Sequence, residues 1–129
     1  MANEKDRWLA EAQGDWEIAE ILLREARYNA SAFYSQQSAE KALKAILYGV
    51  HEQPWGHSVR DLLNRIHQIA PLDNIEGMEA CARILDRHYI GARYPNAYPS
   101  GTARDYYDEK TAAEALECAQ RFLEILTKL

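Results

Sequence analysis

A chain of 129 residues with 47% hydrophobic and 27% charged residues can bury one core and is too apolar to remain disordered. Its net charge of −5 excludes a protein that grips nucleic acid by bulk basicity, so any such contact must be local. No run approaches the roughly 20 apolar residues of a membrane span, and no leader-like apolar core follows the charged N-terminus, which points to a cytoplasmic protein.

The first predicted helix runs from about Asn3 to Arg27. Trp8, Ala12, Trp16, Ala19 and Ala26 recur at steps that share one helical face. Tyr28-Asn29 makes a break, with Asn29 placed to cap a second helix from about Ala30 to Val50. Leu43, Ile46, Leu47 and Val50 form the apolar stripe of that helix. Gln37, Glu40, Lys41 and Lys44 share another face and read first as a solvated surface with a Glu40–Lys44 pair. Gln37 and Glu40, however, fall on the side where flanking alanines pack, so a polar strip there could meet the fourth helix. Gly49 and Pro54-Trp55-Gly56 end the segment.

Ser58 and Asp61 have capping-box spacing and open a third helix, whose buried face is Val59, Leu62, Leu63, Ile66 and Ile69 and which Pro71 closes. Asp73 and Glu76 repeat the spacing before a fourth helix that carries Met78, Ala82, Leu85 and Tyr89 along one side. His88 falls near its end, where a cation suits the helix dipole. The last helix starts near Asp108, with Ala112, Leu116, Ala119, Phe122 or Leu123, and Leu126 inward. No two-residue alternation rich in β-branched residues occurs. The expectation is an all-α fold: residues 1–129 form one domain, an up-and-down antiparallel bundle of about five helices. Cys81 and Cys118 lie on likely core faces without CxxC spacing. They read as buried free thiols, with no metal site and no cofactor.

The connection from Arg93 to Tyr107 is fifteen residues without periodicity, a length that usually signals function or disorder. Five of the eight tyrosines lie between residues 89 and 107, which argues for order. Residues 83 to 104 hold Arg83, Arg87, Arg93 and Arg104 against Asp86 alone. In Tyr89-Ile90-Gly91-Ala92-Arg93-Tyr94-Pro95-Asn96-Ala97-Tyr98-Pro99, one arginine stands among three tyrosines. Its planar fork of donors suits phosphate, and the rings suit bases, sugars or a protein surface. His57 reads first as a neutral histidine capping its turn. There is no HExxH, no Gly-x-Ser-x-Gly and no Gly-rich phosphate loop, so metallopeptidase, hydrolase and common nucleotide-hydrolysing readings lack support.

The order of Trp16, then Tyr34-Ser35-Gln36-Gln37-Ser38-Ala39-Glu40-Lys41-Ala42-Leu43-Lys44-Ala45, then Gly56-His57-Ser58, then Leu85-Asp86-Arg87-His88-Tyr89-Ile90 leading to Ala92-Arg93-Tyr94-Pro95 resembles the HEPN ("higher eukaryotes and prokaryotes nucleotide-binding") domain. The resemblance spans nearly the whole chain. It implies an all-α bundle, often a homodimer. Single-domain prokaryotic members often act with a minimal nucleotidyltransferase as a toxin–antitoxin pair. Many HEPN proteins are metal-independent ribonucleases whose motif is an arginine followed, after about four to six residues, by a histidine. Arg93 matches that arginine as the catalytic candidate. Tyr98 stands where the histidine is expected.

The resulting expectation is an HEPN-like homodimer that binds a nucleotide or RNA, or a nucleotidyltransferase partner, through Arg93, Tyr94, Tyr98, Lys41 and His57. The alternative is a metal-independent endoribonuclease in which Tyr98 or His57 replaces the motif histidine. A third reading makes the Tyr89–Tyr98 segment a dimer interface only.

Overall fold

In a computed structural model of the chain, residues 3–128 are described, with side chains to Ile125, so Leu126 lies outside the described side chains. Six helices follow in order: α1 (Glu4–Arg24), α2 (Tyr28–Gly49), α3 (Val59–Ile69), α4 (Ile75–Asp86), α5 (His88–Gly91) and α6 (Glu109–Lys128). No strand occurs among the described residues. The expected all-helical fold is therefore observed, and α5 is a single short helix added to the five long ones.

Helix α2 is the axis. It packs against α1, α3, α4, α5 and α6. A helix with that many neighbours must be buried on most of its circumference, and alanines make close approach possible. Ala32, Ala39, Ala42 and Ala45 are fully buried on it, together with Leu43 and Leu47. Around it Val59, Leu62, Leu63, Ile66, Leu85 and Phe122 complete the core.

The α1–α2 contact is a seam of small residues two helical turns apart. Ser31 Oγ donates to the Ala19 carbonyl and Ser38 Oγ to the Ala12 carbonyl, both at 2.7 Å. Such bonds satisfy buried hydroxyls without adding bulk. On the same seam Lys41 Nζ reaches Asp15 Oδ2 at 2.6 Å, and Asp15 is buried.

Several local expectations change. Ala26, placed on the inner face of the first helix, is exposed and left-handed (φ 58°), because α1 ends at Arg24. Asn29 caps nothing. It sits inside α2, and its amide donates to the Ala92 carbonyl at 3.0 Å, tying α2 to the end of α5. Helix α4 starts after a left-handed Asn74 without a side-chain cap, not from Asp73. Val50 and Ile69 are exposed at the rim of a small apolar cleft of about 130 Å³ also lined by Ile46 and Ile66.

Cys81 and Cys118 are paired in a disulfide, not free. Helices α4 and α6 pack together and bring the two Cα atoms within 5.2 Å, inside bridging range. No periodicity argument shows which two buried cysteines on separate helices will face each other.

Candidate functional site

The fold gathers its unusual side chains where α2, the start of α3 and α5 meet. Gly56, with φ +87°, makes the left-handed turn that delivers His57, a conformation costly for any residue with a Cβ. Ser58 then caps α3 as expected, accepting from the Asp61 amide at 3.1 Å. A second cap comes from Asp86 at the end of α4. Its carboxylate accepts from Ser58 Oγ at 2.8 Å and the Val59 amide at 2.7 Å. A negative group at the positive end of α3 fixes the ground beside His57.

Behind His57 lies a buried polar array on α2. Glu40 is 4% exposed and Lys44 8%, so their pair is interior and not the solvated surface pair expected from the spacing. Lys44 Nζ lies 3.1 Å from Glu40 Oε2. Gln36 Nε2 donates to Glu40 Oε1 at 3.2 Å and to the His57 carbonyl at 3.0 Å, while Gln37 donates to Gln36 Oε1 at 2.7 Å. The hydrogen bonds of the polar strip thus reach the α3 entry loop, not the fourth helix as expected, with His57 Nδ1 3.3 Å from Glu40 Oε1. The His57 side chain as a whole is 59% exposed, and Nε2 has no partner among the described residues. His57 is therefore not merely capping its turn.

Arg93 shares one aromatic ring with His57. The His57 ring stacks on Tyr89, with centroids 4.7 Å apart and 16° between planes. The Arg93 guanidinium lies 4.7 Å from the same ring, 4.4 Å from Phe33 and 5.0 Å from Tyr94. Its Nε donates to the Tyr89 carbonyl at 2.8 Å. Among the described residues no carboxylate pairs with it, and its terminal nitrogens have no hydrogen-bond partner. Three rings and one carbonyl orient the fork while leaving its far edge in solvent. That arrangement suits an anion, because an oriented, unpaired guanidinium loses little freedom on binding.

The segment after Arg93 is ordered by its own side chains. Pro95–Ala97 and Ala103–Tyr106 form short 3₁₀ turns, the second closed by a Thr102–Asp105 capping box. The Tyr98 hydroxyl donates to the Gly91 carbonyl at 2.6 Å, and its ring stacks on Tyr106 at 4.1 Å. The Tyr107 hydroxyl meets His88 Nδ1 at 2.7 Å. His88 is buried, and burial, aided by the Arg87 charge, lowers its pKa to about 4. It is thus a neutral interior group and not the helix-end cation expected. Burial, and then Tyr98 close by, push Tyr107 above the ordinary tyrosine range.

Of the five site residues expected from the sequence, the structure joins Arg93 and His57 through Tyr89, and Tyr94 through the Arg93 guanidinium. Tyr98 has its hydroxyl committed to Gly91. Lys41 faces α1 and pairs with Asp15, and no contact links it to the Arg93 group among the described residues. Phe33, Tyr89 and Glu40 complete the site without having been singled out as binding residues. Tyr89 was legible as one of the three tyrosines around Arg93 and Glu40 as a carboxylate on a helix face otherwise flanked by alanine, whereas Phe33 left no trace.

No cluster of His, Cys, Asp or Glu fit to hold a metal occurs among the described residues, and none of their helices is long and apolar enough to cross a membrane. The chain aligns along nearly its full length with known proteins. A crystal structure of TT1696 from Thermus thermophilus superposes with a TM-score of 0.93 at 33% identity, covering 98% of each chain. The structure of ST0689, described as an archaeal HEPN homologue, gives 0.80 at 33% identity over 99% of this chain and 98% of that one. "Putative toxin MJ1304" of Methanocaldococcus jannaschii is 25% identical over 142 aligned positions, covering 92% of this chain and 83% of that protein. The HEPN domain profile matches residues 6–129, and the chain belongs to the HEPN domain family.

Proposed function

We propose that this protein is a phosphate-reading HEPN module that binds a nucleotide or RNA at Arg93. The single observation behind this reading is the exposed guanidinium, fixed by Phe33, Tyr89 and Tyr94 and unpaired by any carboxylate among the described residues. Tyr94, 45% exposed, offers a ring for a base. The likeness to a protein named "Putative toxin MJ1304" supports a place in a toxin–antitoxin pair; a minimal nucleotidyltransferase as the partner and a homodimer as the working form are what the family resemblance adds to this proposal. A cytoplasmic setting belongs to the same proposal; there the burial of Cys81 and Cys118, 3% and 5% exposed, would restrain exchange with cellular thiols. Titrating the protein with a short single-stranded RNA at two salt concentrations tests the reading. Arg93→Ala should lower affinity at least tenfold and flatten the salt dependence; unchanged binding would refute it.

A second reading, a metal-independent endoribonuclease, has one specific observation in its favour: His57 shares the Tyr89 ring with Arg93. An imidazole can accept a proton near neutral pH beside a phosphate held by arginine. The Tyr98 hydroxyl, already donating to Gly91, is the weaker substitute. RNA incubated in chelator with the wild type, Arg93→Ala and His57→Phe decides this reading. Cleavage lost in both variants supports it, and intact RNA with the wild type removes it.

A further inference from the structure

The Cys81–Cys118 bridge lies at one end of a path that finishes at the His57–Arg93 corner. Helix α4 has only 12 residues and starts at a left-handed Asn74 without a side-chain cap. A helix that short is not stable alone, so its seat comes from packing on α3 and α6 and from the bridge. At its other end Asp86 accepts from Ser58 Oγ, from the Val59 amide and, at 3.3 Å, from the Arg60 amide. Arg87 then leads straight into α5, which carries Tyr89, and Arg93 follows. Moving α4 therefore moves the α3 cap and α5 together. Two thiols need more room than two bonded sulfurs, and a close-packed seam has none to give. Cleaving the bridge drives α4 away from α6.

The bridge is buried, yet a half-exposed side chain touches it. Arg121 on α6 is 54% exposed; its Nη1 donates to Cys81 Sγ at 3.7 Å and its Nη2 to Glu117 at 3.3 Å. The same arginine lines a surface cleft with Leu72, Met78 and Ile125, where a small thiol has room to approach. A cation beside a sulfur favours its thiolate, and the sulfur with the more stable thiolate leaves faster in disulfide exchange. In the cytoplasmic setting proposed above, thiols keep most cysteines reduced, and the disulfides that do form are commonly transient.

We propose that Cys81–Cys118 is an exchange site for a low-molecular-weight thiol, with Arg121 receiving the Cys81 thiolate, and that reduction loosens α4 and with it the α3 cap. A thiolate attacks Cys118 Sγ, the S–S bond breaks, and its electron pair leaves on Cys81 Sγ beside Arg121. A second thiolate attacks the mixed disulfide at the sulfur of the first and frees Cys118. Two small thiols become one small disulfide, the protein gains two electrons, and its two sulfurs take up the two protons that the attacking thiols lost.

The test incubates the oxidised full chain with reduced glutathione in native buffer, quenches with acid, and counts free thiols by alkylation and mass spectrometry. The native protein should pass to the dithiol form, and oxidised glutathione should restore the bridge. Arg121→Met keeps an apolar stem and loses the charge. It should slow reduction about fivefold, the upper end for a half-exposed charge contact. Amide hydrogen exchange then compares the two wild-type forms. The Val59 and Arg60 amides should exchange about tenfold faster after reduction, the worth of one loosened hydrogen bond to a carboxylate, while Leu43 and Leu47 in the middle of α2 stay protected. The comparison of wild-type forms holds even if the variant does not fold. Neither readout needs a nucleotide, so failure here is separate from failure of the phosphate reading. A bridge that yields only in urea overturns the proposal and leaves a structural crosslink. So does an Arg121→Met protein reduced at the wild-type rate, or Val59 protection that is equal in both forms. Loss of protection throughout the reduced chain overturns it as well, because the bridge would then hold the whole fold and not one helix.

Discussion

Helix α2 carries two polar faces that end differently. Toward α1, Ser31, Ser38 and Lys41 each find a partner inside the bundle, and only the buried Ser35 hydroxyl between the two serines has none among the described residues. Toward α3 and α5, Gln36, Glu40 and Lys44 are also satisfied, but their chain of contacts runs outward to His57, and Phe33 supports an unpaired Arg93. Closed arrays of this kind hold helices together. An array with an outlet positions a group for something that is not part of the chain. Burial of charge alone does not separate structure from function; the direction in which the network terminates does.

The histidines repeat the contrast. His88 is buried with one nitrogen on Tyr107 and the other without a partner among the described residues, so protonation would place a charge in the interior. His57 is held at one nitrogen and open at the other.

The sharpest way to break the comparison is to cut the closed face. Asp15→Ala leaves Lys41 partly buried without its carboxylate, and removing one partner of such a pair costs about 3 kcal/mol. Urea unfolding should show this loss, while RNA affinity per folded molecule stays unchanged. A fall in affinity would mean that the two faces of α2 are not separable.

Acid should act on His88 with a similar ceiling. Its pKa is about 4 in the folded state against 6.5 when unfolded, so the unfolded chain binds the extra proton first. The contribution is therefore full above pH 6.5 and declines as pH falls toward 4, by up to about 3 kcal/mol. His88→Gln should flatten that part of a pH–stability profile. A profile unchanged by the substitution would place the acid sensitivity elsewhere.

On the open face, Arg93→Lys should be mild for folding and marked for binding. A lysine keeps the charge but cannot lay a planar fork on Phe33, Tyr89 and Tyr94. Stability should change by less than about 0.5 kcal/mol, while RNA affinity falls by about 1 to 2 kcal/mol. Equal binding by lysine would reduce the role of Arg93 to a point charge.

The all-helical bundle was legible in the sequence because apolar spacing and glycine–proline punctuation are local signals. The helix boundaries at Gly49 and Ser58 followed from them, and Arg93 and His57 stood out by chemistry and loop position. What the sequence did not disclose depends on pairing across helices: the Cys81–Cys118 disulfide, Lys41 with Asp15, and Glu40 turned toward the α3 entry loop. Helix periodicity says which face a residue occupies but not which neighbour that face meets. The break between α4 and α5 was missed as well; at the end of α4 the Asp86 side chain caps α3, twenty-seven residues earlier in the chain at Val59, another pairing across helices.

Tyr98→Phe is the smallest change and separates the last two roles in the segment after Arg93. Its hydroxyl donates to Gly91, and its ring stacks on Tyr106, so only the hydrogen bond is lost. Stability should drop by about 1 kcal/mol, the usual worth of one such bond. Ribonucleotide binding should hold if Tyr98 is a strut and Arg93 with His57 is the site. A Tyr98→Phe protein that folds with wild-type stability but binds RNA several times more weakly would move the site from the α2–α5 corner into the loop. The closed and open regions would then have to be redrawn around the tyrosine pair.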